Sequence, residues 1–446
     1  MNKEKEHFKE LIERSLKSAK KIGANESCAE ISEGRGLSVS VRKGNVETIE
    51  KSHDRMLNVV VFDGKKSGSA STSDFSFEAI NKTVEAAWHI ARYTAIDDAS
   101  GLPDEILLAK KFRDFKLYHL WSKSVEEMIS IAKQTEEAAI NFSNSIVNTD
   151  GSFVSSGQSY SLLGNSFGFL GSRIYSQYSL SVVPIACGNK GNMQRDYWYD
   201  ANSNPLNLSD PSYIGKYAAE RAVARLSARR IATGNFPVIF EAPVALGLIG
   251  SFVQAASGGA LYRKASFLTD TLGKHIFPKH VDIIEDPHIE GAMGSTSFDS
   301  EGVSTKMRSV VSSGVLNGYF LSSYSARKLG LITTGNAGGS HNLRMFSSKT
   351  KDNDDLKSMI KQMDKGLLIT ELIGHGINYV TGDYSRGAFG FWIENGEIQH
   401  AVEEITIAGN LMDMFKQIIL IGSDVISRGT KTTGSVLIEN MSIAGT

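Results

Sequence analysis

The stretch Thr381–Ile398, TGDYSRGAFGFWIENGEI, carries the clearest structural pattern in the chain. Asn395 and Gly396 separate two apolar runs, and this pair predicts a tight β-hairpin because both turn positions need positive φ. The strand before the turn places three large apolar residues on one face: Phe389, Phe391 and Ile393. Trp392 falls on the opposite face, so this strand is predicted to be covered on both sides.

The loop before this strand, Gly382–Gly387, mixes small residues with one carboxylate and one guanidinium. Loops of this kind commonly form binding sites or interfaces, because the elements on either side position their side chains. Asp383 and Arg386 are therefore candidate functional residues.

Composition excludes several classes of protein. The 446 residues include 48 Lys and Arg against 49 Asp and Glu, so net charge does not indicate a nucleic-acid or membrane partner. There is no run of about 18 apolar residues, and the charged N-terminal segment is unlike a signal peptide. Cys28 and Cys187 are the only cysteines, too few for a disulfide framework. We expect a cytoplasmic protein that neither spans a membrane nor binds nucleic acid directly.

The first part of the chain predicts a small α/β unit. Apolar residues recur at helical spacing over residues 4–22, and a second helix begins near Ser76. Four short strands are predicted between these helices: Cys28–Glu33, Leu37–Arg42, Met56–Phe62 and Ser67–Thr72. Asp63 and Gly64 are predicted to close a hairpin between the last two strands.

The rest of the chain alternates strand and helix patterns. Ser124 and Glu127 form a capping box that starts a helix. Asp150 and Gly151 predict a hairpin turn, and residues 152–186 alternate apolar and polar residues as in an antiparallel meander. Further helices are predicted over residues 213–231, 244–256 and 356–363.

These patterns predict an α+β fold with mostly antiparallel sheets and packed helices. Three parts are expected. An N-terminal α+β domain covers residues 1–110, a middle meander with helices covers residues 111–232, and a larger strand-rich C-terminal domain covers residues 233–446. No tandem repeat or low-complexity segment is present.

The residues alone show no catalytic motif. No two of the ten histidines are four apart, so a helical HExxH zinc motif cannot form, and His275 with His280 is a weak ligand pair. The segment Gly164–Gly168 matches a nucleophile elbow, but a strand follows it instead of a helix, which favours a hairpin. The glycine-rich segment Gly335–Asn342 indicates a tight turn more than a phosphate loop.

Charged residues in the second half leave two interpretations open. Arg221, Arg225 and Arg229 are four apart, which predicts one row on a helix, either solvated or facing an acidic partner surface. Carboxylates in glycine-rich loops, among them Asp299 and Asp383, are expected to form buried ion pairs that hold the loops. Acid–base chemistry would need two of them to converge.

Several motifs follow one another in an order that resembles the TldD/PmbA family. They are Phe298–Gly302 (FDSEG), Ser323–Leu331 (SYSARKLGL), Thr334–Gly339 (TGNAGG), Thr381–Gly387 (TGDYSRG), Ile393–Glu397 (IENGE) and Glu404–Asn410 (EITIAGN). Within the family the chain resembles the PmbA branch, also called TldE. The resemblance covers nearly the whole chain and is densest from Val238 onward.

This resemblance implies a subunit of a cytosolic zinc metallopeptidase that acts on unfolded peptides, including a microcin precursor and an antitoxin. The TldD-type subunit holds zinc on an H-E-x-x-x-H helix with a cysteine near its C-terminus, and the PmbA-type subunit completes the chamber. Matching the branches through Arg263–Leu268 puts Ile249, Gly250 and Gln254 at the first His, the Glu and the second His. No cysteine follows Cys187. The resemblance therefore implies no catalytic residue, metal ligand or cofactor in this chain.

Three hypotheses follow. The first is a non-catalytic subunit that pairs with a zinc-bearing TldD-type subunit, or with a second copy of itself. The second is an enzyme whose metal site is assembled from distant residues, with His341, His375 and Asp383 as the best ligands. The third is a non-proteolytic protein that binds DNA gyrase or its toxins, since the family has been described as a modulator of gyrase. The same three residues, with Arg386, are candidate contacts for a peptide or for the surrounding loops.

Overall fold

The structure is a computed structural model that describes residues 2–189 and 191–445. Within these ranges it contains nine α-helices and 19 strands in three sheets, so the predicted α+β class is confirmed. The helices are α1 (Asn2–Lys21), α2 (Phe77–Tyr93), α3 (Val125–Ile140), α4 (Pro211–Ala224), α5 (Ala242–Ala255), α6 (Gly258–Tyr262), α7 (Ser323–Leu329), α8 (Leu356–Met363) and α9 (Leu411–Lys416).

The strands fall into an N-terminal and a C-terminal group. The N-terminal strands are β1 (Glu26–Arg42), β2 (Asn45–Asp63), β3 (Lys66–Thr72), β4 (Ile146–Asn165), β5 (Leu170–Cys187), β6 (Met193–Arg195) and β7 (Trp198–Asn202). The C-terminal strands are β8 (Gly234–Phe240), β9 (Val281–Glu285), β10 (Arg308–Ser312), β11 (Val315–Leu316), β12 (Leu343–Ser347), β13 (Gly366–Ile373), β14 (Asp383–Glu394), β15 (Glu397–Asn410), β16 (Ile418–Ile421), β17 (Ile426–Arg428), β18 (Lys431–Thr433) and β19 (Val436–Ala444).

The first sheet contains all seven N-terminal strands. Their order is β3-β2-β1-β4-β5-β6, β7 also pairs with β5, and every pairing is antiparallel. The meander predicted over residues 152–186 is confirmed as the β4–β5 pair. The loop joining these two strands contains Ser166 and Gly168, so the hairpin interpretation of that motif is confirmed.

Two strand predictions were wrong. The four short strands are in fact β1, β2 and β3, because β1 pairs with β2 and β4 without a break across its polar, glycine-containing middle. Backbone hydrogen bonds make that ladder, so the polar side chains do not interrupt it. Asp150 and Gly151 do not turn a hairpin but lie inside β4, where the register with β5 shifts. The Gly151 φ of 118° suits such an irregularity.

Four helices cover the first sheet. α1 and α2 bury their apolar faces against β1, β2 and β4, and α3 and α4 pack against β4 and β5. The predicted capping box is confirmed, since Ser124 and Glu127 each accept a hydrogen bond from the backbone N–H of the other. The helix predicted over residues 213–231 is too long. α4 ends at Ala224, and Ser227 has a left-handed φ of 60° that a right-handed helix cannot continue.

The two other sheets enclose the largest core. One has the order β11-β10-β9-β12-β18-β17 and the other β15-β14-β13-β8-β19-β16, with β15 also paired to β19. Among the described strands only the pairs β12–β18 and β13–β8 are parallel, as expected for mostly antiparallel sheets. α5 contributes Ala245, Ile249 and Phe252 to this core, so it is held on several sides.

The hairpin predicted at Asn395 and Gly396 is confirmed. It joins β14 to β15, and the two turn residues have φ of 56° and 69°. Phe391 and Ile393 pack in one apolar cluster while Trp392 packs against another. Strand β14 is therefore covered on both faces, as its sequence predicts.

The expected division into three parts stays a prediction. β1 and β4 come from opposite sides of residue 110 yet pair in one sheet, whereas none of the three sheets crosses residue 232 in the part of the chain that is described. A search of those same residues finds no helix that is both long and apolar enough to cross a membrane.

Candidate functional site

Helix α5 lies at the position where the resemblance expects a metal-binding helix. Pro243 is in its first turn, where the missing N–H costs no helical hydrogen bond. Its apolar side is buried, and Phe252 meets three aromatic rings edge-on, those of Phe277, Phe320 and Phe415. Three residues at spacings of three and four form its least buried side: Gly247, Gly250 and Gln254. We call these three residues the outer stripe of α5.

The residues present at α5 do not fit a zinc ion. Gly247 and Gly250 have no side chain, and Gln254 offers a neutral carboxamide, a poor zinc ligand. Side chains five positions apart on a helix differ in direction by about 140°. Gln254 points outward, so Ile249, five positions earlier, is turned inward and is fully buried in the core. The positions matched to the two histidines thus face different directions. Across the described residues, no three His, Cys, Asp or Glu side chains are grouped so as to hold a metal ion.

A polar cavity of about 230 Å³ opens beside the first half of the outer stripe. The first turns of α5, the end of β13, and parts of β14, β7 and β17 surround it. Its charged lining residues come from distant parts of the chain: Asp196, Arg221, Glu371, Arg386 and Arg428. We call it the arginine cavity.

Two arginines at the end of α4 form a buried ion-pair network along this cavity. Arg221 donates to both carboxylate oxygens of Glu241, at 2.8 and 3.0 Å, and to Asp196 at 3.2 Å. Arg225 donates to Asp196 at 2.9 Å and also to Glu371. Burial acts to lower the pKa of Arg221, but the charge and hydrogen bonds of Glu241 outweigh burial, so the pKa of Arg221 is raised. The network therefore ties α4 to the start of α5 and to β13.

The predicted row of three arginines on one helix face was wrong. Arg221 and Arg225 are only 12% and 5% exposed, so this face is neither solvated nor open to a partner. Arg229 lies beyond the end of α4, where its backbone N–H donates to Ala401. Spacing alone placed two arginines side by side. It could not reveal the carboxylates that they contact, which are distant in sequence: Asp196, Glu241 and Glu371.

Arg386 and Arg428 differ from the networked arginines because neither forms an ion pair with a described residue. The Nε of Arg386 and one Nη of Arg428 are shielded from solvent and lack a hydrogen-bond partner in the described chain. The Arg428 guanidinium stacks on Trp198 and Tyr199, at 4.4 and 4.0 Å from their ring centroids. Burial raises the pKa of Tyr384 to about 12 although the charge of Arg386 and a hydrogen bond with it act to lower that pKa, so this phenol carries no charge at neutral pH.

The structure separates the remaining predicted site residues. His341 is buried, and its backbone N–H donates to Glu285 at 2.7 Å. His375 is exposed in the loop between β13 and β14, and the nearby Asp383 accepts a hydrogen bond from Thr381 at 2.6 Å. These residues do not form a metal-binding group among the described residues. The loop predicted over Gly382–Gly387 was wrong, because Asp383 begins β14 and pairs with Asn410 of β15. Asp383 forms no ion pair with Arg386.

A second cavity, of about 480 Å³, lies between the first sheet and C-terminal loops. His341 and Asp299 line it, and the Arg173 guanidinium stacks 4.4 Å from the Phe298 ring centroid. Burial, followed by the charge of Glu301, raises the pKa of Asp299 to about 6. Three backbone N–H groups donate to the Asp299 carboxylate at 2.9 to 3.0 Å. Asp299 thus holds its loop as predicted, but through backbone groups instead of an ion pair.

Comparison with known proteins assigns the family. Models described as PmbA/TldA metallopeptidase domain 1, central domain and C-terminal domain match residues 29–91, 118–226 and 233–445. Metalloprotease PmbA of Escherichia coli O157:H7 is 43% identical over 440 residues, covering 98% of this chain and 97% of that protein. A Haemophilus influenzae homolog of PmbA is 41% identical over 442 residues, covering 99% of this chain and 97% of that protein. The chain belongs to the PmbA/TldD metallopeptidase family.

A solved structure extends this similarity to the fold. It is a Bacteroides thetaiotaomicron protein described as a candidate modulator of DNA gyrase. It superposes with a TM-score of 0.92 at 27% identity and covers 98% of this chain and 99% of its own. The family resemblance predicted from the sequence motifs is therefore confirmed.

Proposed function

We propose that this chain is the non-catalytic subunit of a cytoplasmic zinc metallopeptidase that degrades or processes unfolded peptides. A TldD-type subunit supplies the zinc and the catalytic glutamate, or a second copy of this chain takes the partner's place. The chain itself contributes walls and binding groups to the peptide chamber. Its substrates are unfolded because a closed chamber admits an extended chain more readily than a folded domain.

The observation that carries the proposal is the outer stripe of α5. Zinc in a peptidase needs nitrogen, oxygen or sulfur ligands and a base beside its bound water. Here two of the three outward positions are Gly247 and Gly250, and the third, Gln254, is neutral. The outward side of this helix therefore offers none of the side chains that zinc chemistry needs, and the matched positions Ile249, Gly250 and Gln254 supply neither a good ligand nor a base. Relatives named metalloproteases support a peptidase context for such a helix.

The test is zinc content and peptide cleavage, measured on the pure chain and on its mixture with a TldD-type subunit. We expect less than one zinc per ten chains and no cleavage of an unfolded peptide by the pure chain. Cleavage is expected when the second subunit is added and is expected to stop on chelation. Stoichiometric zinc together with chelator-sensitive cleavage by the pure chain would overturn the proposal.

The hypothesis of a metal site elsewhere in the chain makes a different prediction. His341 and His375 are its two histidine ligands, so a chain with both changed to alanine would lose activity when combined with the partner. We expect the double variant to support cleavage at the level of the unchanged chain. Because His341 is buried, the folded state of the variant is checked by circular dichroism first.

A non-proteolytic role at DNA gyrase is the second candidate function. It is favoured by the description given to the Bacteroides structure, a candidate modulator of DNA gyrase. Affinity purification of the tagged chain distinguishes the two proposals. Recovery of a TldD-type subunit without gyrase favours the peptidase subunit, whereas recovery of gyrase or a gyrase toxin alone favours the modulator.

A further inference from the structure

We propose that the arginine cavity binds a carboxylate group of a peptide through Arg386 and Arg428. The inference rests on the proposed function, because it states how this chain holds peptides that its partner cleaves. It concerns binding alone, and no bond is made or broken in the cavity.

Unused donors are the first argument. Arg386 and Arg428 line the cavity, and neither guanidinium donates to a carboxylate of a described residue. Buried polar groups in native proteins are nearly always satisfied, and leaving charged donors unpaired is costly. An ionised carboxylate only accepts hydrogen bonds, so in this cavity it would accept them from the guanidinium groups of Arg386 and Arg428.

Charge is the second argument. Asp196, Glu241 and Glu371 are already engaged by the two arginines of the α4 network. The three carboxylates and two guanidiniums of that network carry a net charge of −1, so Arg386 and Arg428 bring the whole group to +1. Tyr384 stays neutral because its pKa is raised by burial, so it does not offset them. The cavity therefore favours an anion.

Shape is the third argument. Pockets for whole small ligands measure roughly 300–1,000 Å³, and this cavity of about 230 Å³ suits the end or one side chain of a peptide. A guanidinium presents paired donors that match the two oxygens of a carboxylate. Trp198 and Tyr199 hold the Arg428 plane in place before a ligand arrives. Gly247 forms part of the wall, and no atom lies within 4 Å of where its Cβ would be, which leaves room for a peptide backbone.

Two sources share this chemistry: the carboxylate at the C-terminus of a peptide and the side chain of Asp or Glu. Four blocked peptides distinguish them. They are N-acetyl-Ala-Ala-Ala-Ala as the free acid, the same peptide as its amide, N-acetyl-Ala-Ala-Glu-Ala amide, and its Gln analogue. Binding to the pure full-length chain is measured by isothermal titration calorimetry in EDTA. Tighter binding of the free acid than its amide, or of the Glu peptide than its Gln analogue, identifies the source.

We expect at least a tenfold difference in Kd within one of these pairs, as for losing a hydrogen-bonded charge. Arg386→Gln and Arg428→Gln are each expected to weaken binding of the preferred peptide about tenfold. Arg344→Gln, which changes an exposed arginine on β12, is the matched control and is expected to change nothing. Arg386→Lys and Arg428→Lys keep the charge but lose the paired donors, so each is expected to weaken binding about fivefold, and they replace the glutamine variants if those do not fold.

Equal binding of acids and amides, or no binding of any peptide at millimolar concentration, would overturn the inference. It would also fail if the arginine variants bound peptides normally. The inference would also be wrong if no peptide bound and the arginine variants failed to assemble with a TldD-type subunit. The arginine cavity would then hold a carboxylate of the partner subunit. None of these results bears on the proposed function, which is tested by zinc content and cleavage. Conversely, zinc-dependent cleavage by the pure chain would refute the proposed function but would not show whether the arginine cavity binds a carboxylate.

Discussion

Replacing Arg221 by methionine is expected to destabilise the protein, because it leaves the buried carboxylate of Glu241 without its partner. Arg221 and Glu241 are 12% and 10% exposed and are joined by two hydrogen bonds of 2.8 and 3.0 Å. Glu241 precedes the first turn of α5, and its side chain caps no backbone N–H there. Without Arg221 it is a buried charge that has lost its bidentate partner. Removing one member of a buried ion pair costs about 3–5 kcal/mol, and we expect Arg221→Met to fall in that range.

The assay is urea unfolding of the purified chain, followed by far-ultraviolet circular dichroism, in a double-mutant cycle. Adding Glu241→Gln to Arg221→Met removes the uncompensated charge, so the double variant is expected to recover at least half of the loss. Lys82→Met is the control, because the Lys82–Glu78 pair is more than 70% exposed on both sides and such pairs contribute about 0.5 kcal/mol or less. A loss under about 1 kcal/mol for Arg221→Met, or additive effects in the cycle, would refute the reasoning.

Two further changes test the pH dependence and the backbone packing. The pKa of Asp299 is about 6 in the folded chain, above that of a free aspartate, so its protonated form stabilises the fold. This stabilisation is complete below about pH 4 and is lost as pH rises through 6. Asp299→Asn removes this titration. Between pH 4 and pH 7.5 the free energy of unfolding of the variant, measured by urea titration, is therefore expected to rise by about 3 kcal/mol relative to that of the unchanged chain. Gly247→Ala, in open space on α5, is expected to stabilise the chain by about 1 kcal/mol. Gly390→Ala is expected to prevent soluble expression, because its Cβ would fall on the carbonyl oxygen of Leu368.

Local sequence patterns predicted much of the fold. They failed where pairing between strands distant in sequence determines the strand bounds. The turn at Asn395 and Gly396 and the capping box at Ser124 depend on neighbouring residues, so the sequence sufficed. The unbroken β1 could not be predicted, because its polar middle is held by β2 and β4 through backbone bonds. The hairpin expected at Asp150 failed for the same reason.

The candidate site was predicted less completely than the fold. The family motifs located α5 and the start of β14, which contains Arg386, and helical spacing paired Arg221 with Arg225. That Asp196 and Glu371 contact those arginines could not be predicted, because Asp196 lies between β6 and β7, Glu371 lies in β13, and no periodicity links them to α4. Nor did it reveal that Arg386 shares a cavity with Arg428, 42 positions further along the chain.

We propose that this chain belongs to a zinc peptidase and holds no zinc of its own. The most direct measurement is elemental analysis of the pure chain after refolding or purification with excess zinc, run beside a peptidase assay with and without a TldD-type subunit. We expect less than one zinc per ten chains and cleavage only when the second subunit is present. One zinc per chain, with cleavage by the pure chain that a chelator abolishes, would contradict it.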